Sequence, residues 1–208
     1  MNALIPSVKG ARFLDLGCGY GWYCRWAREG GAEMVTGIDI SEKMLARAKE
    51  STHDAAITYL RADIETLTLT ERAYDVVFSS LALHYLPDFG SLAKQVYETL
   101  EPGGAFVFSV EHPTFTAPRN PHWIKDSEGR AVWPLDSYLS EGKRITDWLA
   151  DGVVKYHRMA STYVNTLLTT GFVLSVMEEW APSVEQIENG LGDWAKARDR
   201  PPFLILKA

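Results

Sequence analysis

Cysteine is scarce: the 208-residue chain has two, Cys18 and Cys24. Their spacing is not that of a CxxC metal site, and two neighbouring thiols make no disulfide framework. Both read as small packing residues, Cys18 between two glycines and Cys24 inside a helical stretch. With no Cys/His cluster, no metal is expected. Long apolar runs are missing as well; none approaches the ~20 residues that span a bilayer. The first ten residues lack the charged and apolar regions of a signal peptide. Neither a membrane partner nor secretion is therefore expected, and the cytoplasm is the default compartment. Positive charge is in the minority, with 21 Lys and Arg against 27 Asp and Glu and a formal net charge of −6. Nucleic-acid binders ordinarily show a basic face, because phosphate contacts dominate their affinity. Here the basic residues form only short pairs such as Lys143-Arg144, so no nucleic-acid partner is expected. Repeats, low-complexity tracts and interdomain linkers are absent too. The length suits one domain, 1–208, with a full hydrophobic core.

What is present is an alternation of short apolar strands and helices. Strands are expected at 12–16, 33–39, 57–61, 74–79 and 105–110, and helices at 22–29, 42–50 and 89–100. Gly30-Gly31 closes the first helix, Ser41 is placed to cap the second, and Pro102-Gly103-Gly104 breaks the third. Such alternation implies a doubly wound α/β sheet, mostly parallel, with helices on both faces. The pattern lapses over 111–153, which carries Pro113, Pro118, Pro121 and Pro134 among many aromatics. It is expected to be a long irregular excursion with short helices, and loops of that length inside a domain are usually functional. A helix at 161–170 and strands at 172–179 and 203–207 restore the regularity.

The strongest signal is Leu14-Asp15-Leu16-Gly17-Cys18-Gly19-Tyr20-Gly21, where the first strand meets the first helix. In doubly wound sheets ligands bind outside the carboxyl ends of the strands. Glycines there allow positive φ and close approach of backbone to ligand. The spacing is G-x-G-x-G, not the dinucleotide G-x-G-x-x-G. Asp15 is placed to meet a cationic amine, and would repel a phosphate. Asp39 ends the second strand about twenty residues on, where such folds put a carboxylate on ribose hydroxyls. Asp63 ends the third, placed to accept from an adenine amino group. Each has an ordinary alternative: the glycines as turn formers, Asp39 and Asp63 as caps, Met44 as helical core.

With these residues in view, the chain resembles the class I S-adenosylmethionine-dependent methyltransferases of the type-11 group. FLDLGCGYG, GIDISEKML, RADIETL, YDVVFSSLALHYL and LEPGGAFVFSV match five motifs in order across roughly 12–110. The resemblance implies a Rossmann-like seven-stranded sheet whose last strand is antiparallel, with 111–153 a substrate-cap insertion after the fifth strand. It implies S-adenosylmethionine as cofactor, leaving as S-adenosylhomocysteine. Asp15, Gly17, Gly19 and Gly21 would surround the methionine part, and Asp39 would hold the ribose. Ile40 and Met44 would flank the adenine, Asp63 and Ile64 would read its edge, and Ser79 and Leu81 would line the far side. One departure is the short lead: relatives carry helices before the first motif that partly cover the cofactor. Here the first strand begins near residue 12, so either the start is truncated or another part covers the site, and a missing cover would weaken cofactor affinity.

Methyl transfer asks the protein mainly to bind, align and desolvate. A base is needed only for a protonated acceptor. His112 in Val110-Glu111-His112-Pro113 is the candidate base, with Glu111 orienting it or facing an acceptor amine. His84, beside Tyr85 after the fourth strand, is a further candidate. His157 is expected on a solvated strand face. Phe115, Trp123, Trp133, Tyr138, Trp148 and Tyr156, interleaved with Arg119, Arg144 and Arg158, suit a cap over an aromatic or anionic small molecule, or a small core of the cap itself. Trp180 and Pro182 are placed to complete the pocket wall. An N-P-P-Y motif is absent, Ser79-Ser80-Leu81-Ala82 standing in its place, which argues against amino-group methylation of nucleic acid or glutamine. The acceptor expected is a small molecule, and the oligomeric state is open between monomer and homodimer. A cofactor-binding protein without turnover and, on weaker grounds, a nicotinamide oxidoreductase are the rival readings.

Overall fold

The computed structural model describes residues 1–148 and 150–208, with the side chains of all but 147, 148, 150, 151, 192 and 193. Seven strands form the main sheet in the order β10-β11-β5-β4-β1-β2-β3. They are β1 (Arg12–Leu16), β2 (Met34–Asp39), β3 (Ile57–Arg61), β4 (Tyr74–Ser80), β5 (Leu100–Glu111), β10 (Val176–Trp180) and β11 (Phe203–Lys207). The pairs β1–β2, β2–β3, β1–β4 and β4–β5 are parallel, and β11 alone in this sheet runs against its neighbours. The expected seven-stranded Rossmann-like sheet with an antiparallel last strand is the one observed.

The strand sequences are apolar enough to be covered on both faces, and they are. One face packs α3 (Phe89–Thr99) and α5 (Ala160–Thr170) through Leu92, Val96, Tyr163 and Leu167 onto Leu14, Val77, Phe106 and Phe108. The other packs α1 (Trp22–Glu29) and α2 (Glu42–Glu50) through Cys24, Ala27, Leu45 and Ala48 onto Phe13, Val35, Phe78 and Val107. Ser41 caps α2, its hydroxyl accepting from the Met44 N–H at 3.3 Å. Asp88 caps α3 in the same way at 3.0 Å, and Gly171 ends α5 in the left-handed region. At the amino edge, Arg12 reaches Asp75 and Glu101 at 3.0 and 3.1 Å, tying the entries of β1, β4 and β5. Among the described residues, no helix is long and apolar enough to cross a membrane.

Three expectations change, the smallest being that the strand expected at 172–179 is β10, Val176–Trp180. The fifth strand starts at Leu100, its register shifting between Tyr74 and Val76 of β4, so the Pro-Gly-Gly run bends the strand instead of preceding it. The excursion is built mainly of hairpins. One short helix, α4 (Pro113–Thr116), is followed by the pair β6 (Ile124–Lys125) and β7 (Ala131–Val132), then by β8 (Gly142–Trp148) and β9 (Ala150–His157). The aromatic content that suggested irregular cover instead alternates along strands, as in Val154-Lys155-Tyr156-His157. The side chain of Trp148 and all of Leu149 lie outside the described residues.

Phe108 is fully buried between Phe89 and Phe106. Phe108→Ala should therefore lower the unfolding free energy by about 3–5 kcal/mol, read from urea denaturation. A loss under about 1 kcal/mol would mean that this face of the sheet is not packed as described.

Candidate active site

Strands β1, β2, β3 and β4 end on one edge, and a cavity of about 440 Å³ opens there. Its wall includes Gly17, Asp39, Ile40, Asp63, Ile64 and Leu81 from the sequence-based set, with Glu65, Ser80, Ala82, Tyr85 and Leu86 beside them. The glycine loop is held from β2. The Ile38 carbonyl accepts from the Gly17 and Cys18 N–H groups at 2.8 and 2.9 Å. Asp39 Oδ2 accepts from the Gly19 N–H at 2.8 Å, and Oδ1 from the Ser41 N–H at 2.8 Å. Asp39 therefore joins the loop to the start of α2, while each carboxylate oxygen keeps further lone-pair capacity. Gly17 has φ +76°, and a Cβ there would lie 2.3 Å from the Ala82 Cβ, so no larger residue fits. A Cβ at Gly19 would meet nothing within 4 Å, so this part of the loop faces open space. Asp63 accepts from the Glu65 N–H at 2.9 Å and follows β3 by two residues, beside the cavity.

Other members of that set sit elsewhere. Asp15 is 2% exposed, beneath the loop and off the cavity wall, with Cys24 Sγ at 3.5 Å from its Oδ2. Burial pushes its carboxyl up to about 7; the Cys24 thiol opposes that and the charge of Asp39 adds to it. Gly21 is enclosed by the Tyr59 ring, and Met44, 46% exposed, is not core. Ser79 is turned into the sheet, its hydroxyl donating to the Leu16 carbonyl at 2.7 Å. The alternation of β4 gives the cavity face to Ser80 instead. Leu81 follows with φ +55°, a conformation costly for a branched residue and typical of functional edges. The Ser109 carbonyl holds its N–H at 3.0 Å.

The candidate bases divide in an unexpected way. His112 caps α4: Nδ1 accepts from the Thr114 N–H at 3.1 Å, which leaves the proton on Nε2, directed to Glu179 at 2.9 Å. Burial lowers its pKa. With both nitrogens engaged, it has no free lone pair to offer an acceptor in this arrangement. His84 is 1% exposed, its Nδ1 accepting from the Glu111 N–H at 3.4 Å while Nε2 has no partner. Burial, and then the charges of Lys155 and Arg158, press its pKa down to about 3. With Nδ1 accepting, the proton of the neutral ring sits on Nε2. His157, expected in solvent, is fully buried between the Thr116 hydroxyl at 2.8 Å and the Tyr138 carbonyl at 2.9 Å.

Glu111 remains. Its Oε1 meets Lys155 Nζ at 2.5 Å inside the protein, and its Oε2 has no partner. Burial raises its pKa and Lys155 opposes the rise. Burial raises the pKa of Tyr85, and the charge of Glu111 adds to the rise. It lines a second cavity of about 380 Å³ under the excursion. Sequence reading passed over Lys155, although a lysine inside an apolar alternating strand marks an inward charge.

Comparison with known proteins agrees with the fold. A family model described as a methyltransferase domain matches residues 14–108. A solved S-adenosylmethionine-dependent methyltransferase from Mesorhizobium loti is 50% identical, with 99% of this chain and 94% of that one covered and a TM-score of 0.95. A Listeria monocytogenes structure is 40% identical, with 99% and 92% covered and a TM-score of 0.92. An uncharacterized Haemophilus influenzae protein is 34% identical over all of this chain and 84% of its own length. Malonyl-[acyl-carrier protein] O-methyltransferases also match; that of Enterobacter lignolyticus is 38% identical over 53% of this chain and 43% of its own length. This chain thus spans less than half of those enzymes.

Because the folded-state pKa of Asp15 lies above its ordinary 3.8, the native state binds the proton more tightly. The stabilisation this brings is complete below about pH 4 and is lost as pH rises through about 7. Relative to Asp15→Asn, the wild type should lose up to roughly 4 kcal/mol between pH 4 and 8, measured by urea unfolding across that range. Parallel profiles for the two proteins would mean that Asp15 is ionised in the fold at neutral pH.

Proposed function

The chain belongs to the S-adenosylmethionine-dependent methyltransferases, and from that premise we propose that it methylates a small molecule seated between the sheet edge and the segment 111–157. The observation that carries this is the pairing of two cavities at one edge, with Glu111 on the wall of one, its N–H donating to His84 at 3.4 Å, and the His84 ring 4.3 Å from that of Tyr85 on the wall of the other.

The first cavity suits the adenosyl cofactor in its donor set. Asp39 closes β2 and Asp63 follows β3, an open glycine loop faces them, and Ile40 stands 60% exposed at the rim. In this reading Gly17, Gly19 and Gly21 shape the loop around the methionine end, and Asp15 supports it from beneath. Asp39 takes the ribose hydroxyls, Asp63 and Ile64 read the adenine edge, and Ile40 and Met44 flank it. Leu81 and Ser80 border the far side, with Ser79 fixing the strand behind them. Bound S-adenosylmethionine supplies an electrophilic methyl and a neutral thioether leaving group. The chain's own residues hold the partners in line and exclude water.

The domain is single over 1–208 in this reading, and its cap starts at 111 and runs to His157, past the expected end at 153. The cap's aromatics serve mainly as its own core: Phe115 stacks on Trp133 at 5.7 Å and Trp123 meets Trp133 edge-on at 5.5 Å. Where an acceptor starts protonated, Glu111 Oε2 is the group with capacity to take the proton. His84 Nε2 and His112 then act through Glu111 and α4, as donor and anchor.

Incubating the protein with methyl-labelled S-adenosylmethionine and a cell extract split by mass should place the label in the small-molecule fraction. Glu111→Gln should lower that labelling at least tenfold and leave S-adenosylhomocysteine affinity within about twofold. Label entering protein or nucleic acid instead would overturn the acceptor class. Full labelling by the variant would remove Glu111 from the reaction.

A further inference from the structure

The second cavity is unusual for so acidic a chain. Its wall sets Arg119, Arg144 and Lys155 against one carboxylate, Glu111, in a protein of net charge −6. Lys155 neutralises Glu111 at 2.5 Å, which leaves the two arginines. Neither is in an ion pair among the described residues. Arg144 Nε donates to the Ala117 carbonyl at 3.2 Å and Nη2 to the Ser140 carbonyl at 2.6 Å. Arg119 Nε donates to the Ser137 hydroxyl at 3.3 Å. Carbonyls and hydroxyls satisfy hydrogen bonds without cancelling charge. The carboxylate of Asp136 lies in the neighbourhood, held by the Arg119 backbone N–H at 3.2 Å. Burial lowers the pKa of Arg144, as does the charge of Arg119, and Asp136 only partly offsets them.

Two wall residues keep a buried oxygen without a partner, Glu111 through Oε2 and Thr146 through Oγ1. Behind the Phe115 wall, Arg200 lies 4.3 Å from that ring and 4.1 Å from Trp133, its Nε and Nη1 buried and unpartnered. A buried donor or acceptor without a partner costs free energy that a ligand can recover.

We propose that this cavity is the acceptor site, and that it takes a small organic carboxylate that also carries a hydroxyl or amine. Arg119 and Arg144 receive the carboxylate, and Arg200 adds positive potential through the aromatic wall. Glu111 Oε2 accepts from the hydroxyl or amine. The proposal rests on the methyl-transfer reading above and narrows its substrate class.

The test titrates the full chain with 4-hydroxybenzoate and with its neutral counterpart 4-hydroxybenzamide, by protein-observed NMR in the presence of S-adenosylhomocysteine. The acid should bind at least tenfold more tightly than the amide. Arg144→Gln should weaken the acid at least tenfold, Arg144→Lys should restore part of the loss, and the exposed Arg119→Gln should weaken it severalfold. All three should keep S-adenosylhomocysteine affinity within twofold. Because Arg144 also braces several carbonyls, Arg119→Gln decides the matter if Arg144→Gln does not fold. Equal binding of acid and amide, saturation by neither, or acid affinity unchanged in Arg119→Gln would overturn the proposal. If the acid binds and responds to the arginines while S-adenosylhomocysteine does not bind, the methyl-transfer reading falls and the anion site stands.

Discussion

The end of β2 is the constraint on which the site depends. The Ile38 carbonyl and the Asp39 carboxylate between them occupy the N–H groups of Gly17, Cys18 and Gly19. A loop of alternating glycines has much conformational freedom to lose on folding, and these bonds select one shape for it. The same carboxylate fixes the Ser41 N–H at the start of α2. Loop, helix start and cavity wall therefore share one anchor. Gly17 is pressed against Ala82 from the other side, so the loop is gripped between β2 and the segment after β4.

Charge is distributed with equal economy. Around the first cavity stand the carboxylates Asp39, Asp63 and Glu65, suited to hydroxyls, amines and a sulfonium. Around the second stand arginines and a lysine. A cationic methyl donor and an anionic acceptor would thus each meet the complementary field, and Glu111 lies where the two fields join. The strained Leu81 marks the same edge, its φ of +55° held by Ser109 of the adjacent strand.

Much of this was legible in the sequence. β1, α1, α2, β3 and β11 fall at their expected bounds, because short apolar runs flanked by glycine or capping residues admit few alternatives. Asp39, Asp63, Gly17 and Leu81 reach the cavity because each ends or follows a strand, a position set by topology. What was not legible depended on side-chain direction. Ser79 and Ser80 differ by one residue and face opposite ways. Asp15 lies one residue before the end of its strand while Asp39 ends its own, and it sits under the loop. His112 looked free beside Pro113 because nothing in the sequence shows that Glu179, on a distant strand, meets its ring. The excursion's hairpins escaped notice because its prolines and aromatics masked the strand alternation, and with them went the buried pairing of Lys155 with Glu111.

The most direct measurement is a calorimetric titration of S-adenosylhomocysteine into the wild type and into Asp39→Ala. If Asp39 carries both the loop and the cofactor, the folded variant should lose about 1–3 kcal/mol of binding free energy, the usual worth of a charged hydrogen bond. Undiminished affinity in a folded Asp39→Ala protein would contradict the account, for it would place the cofactor away from the end of β2.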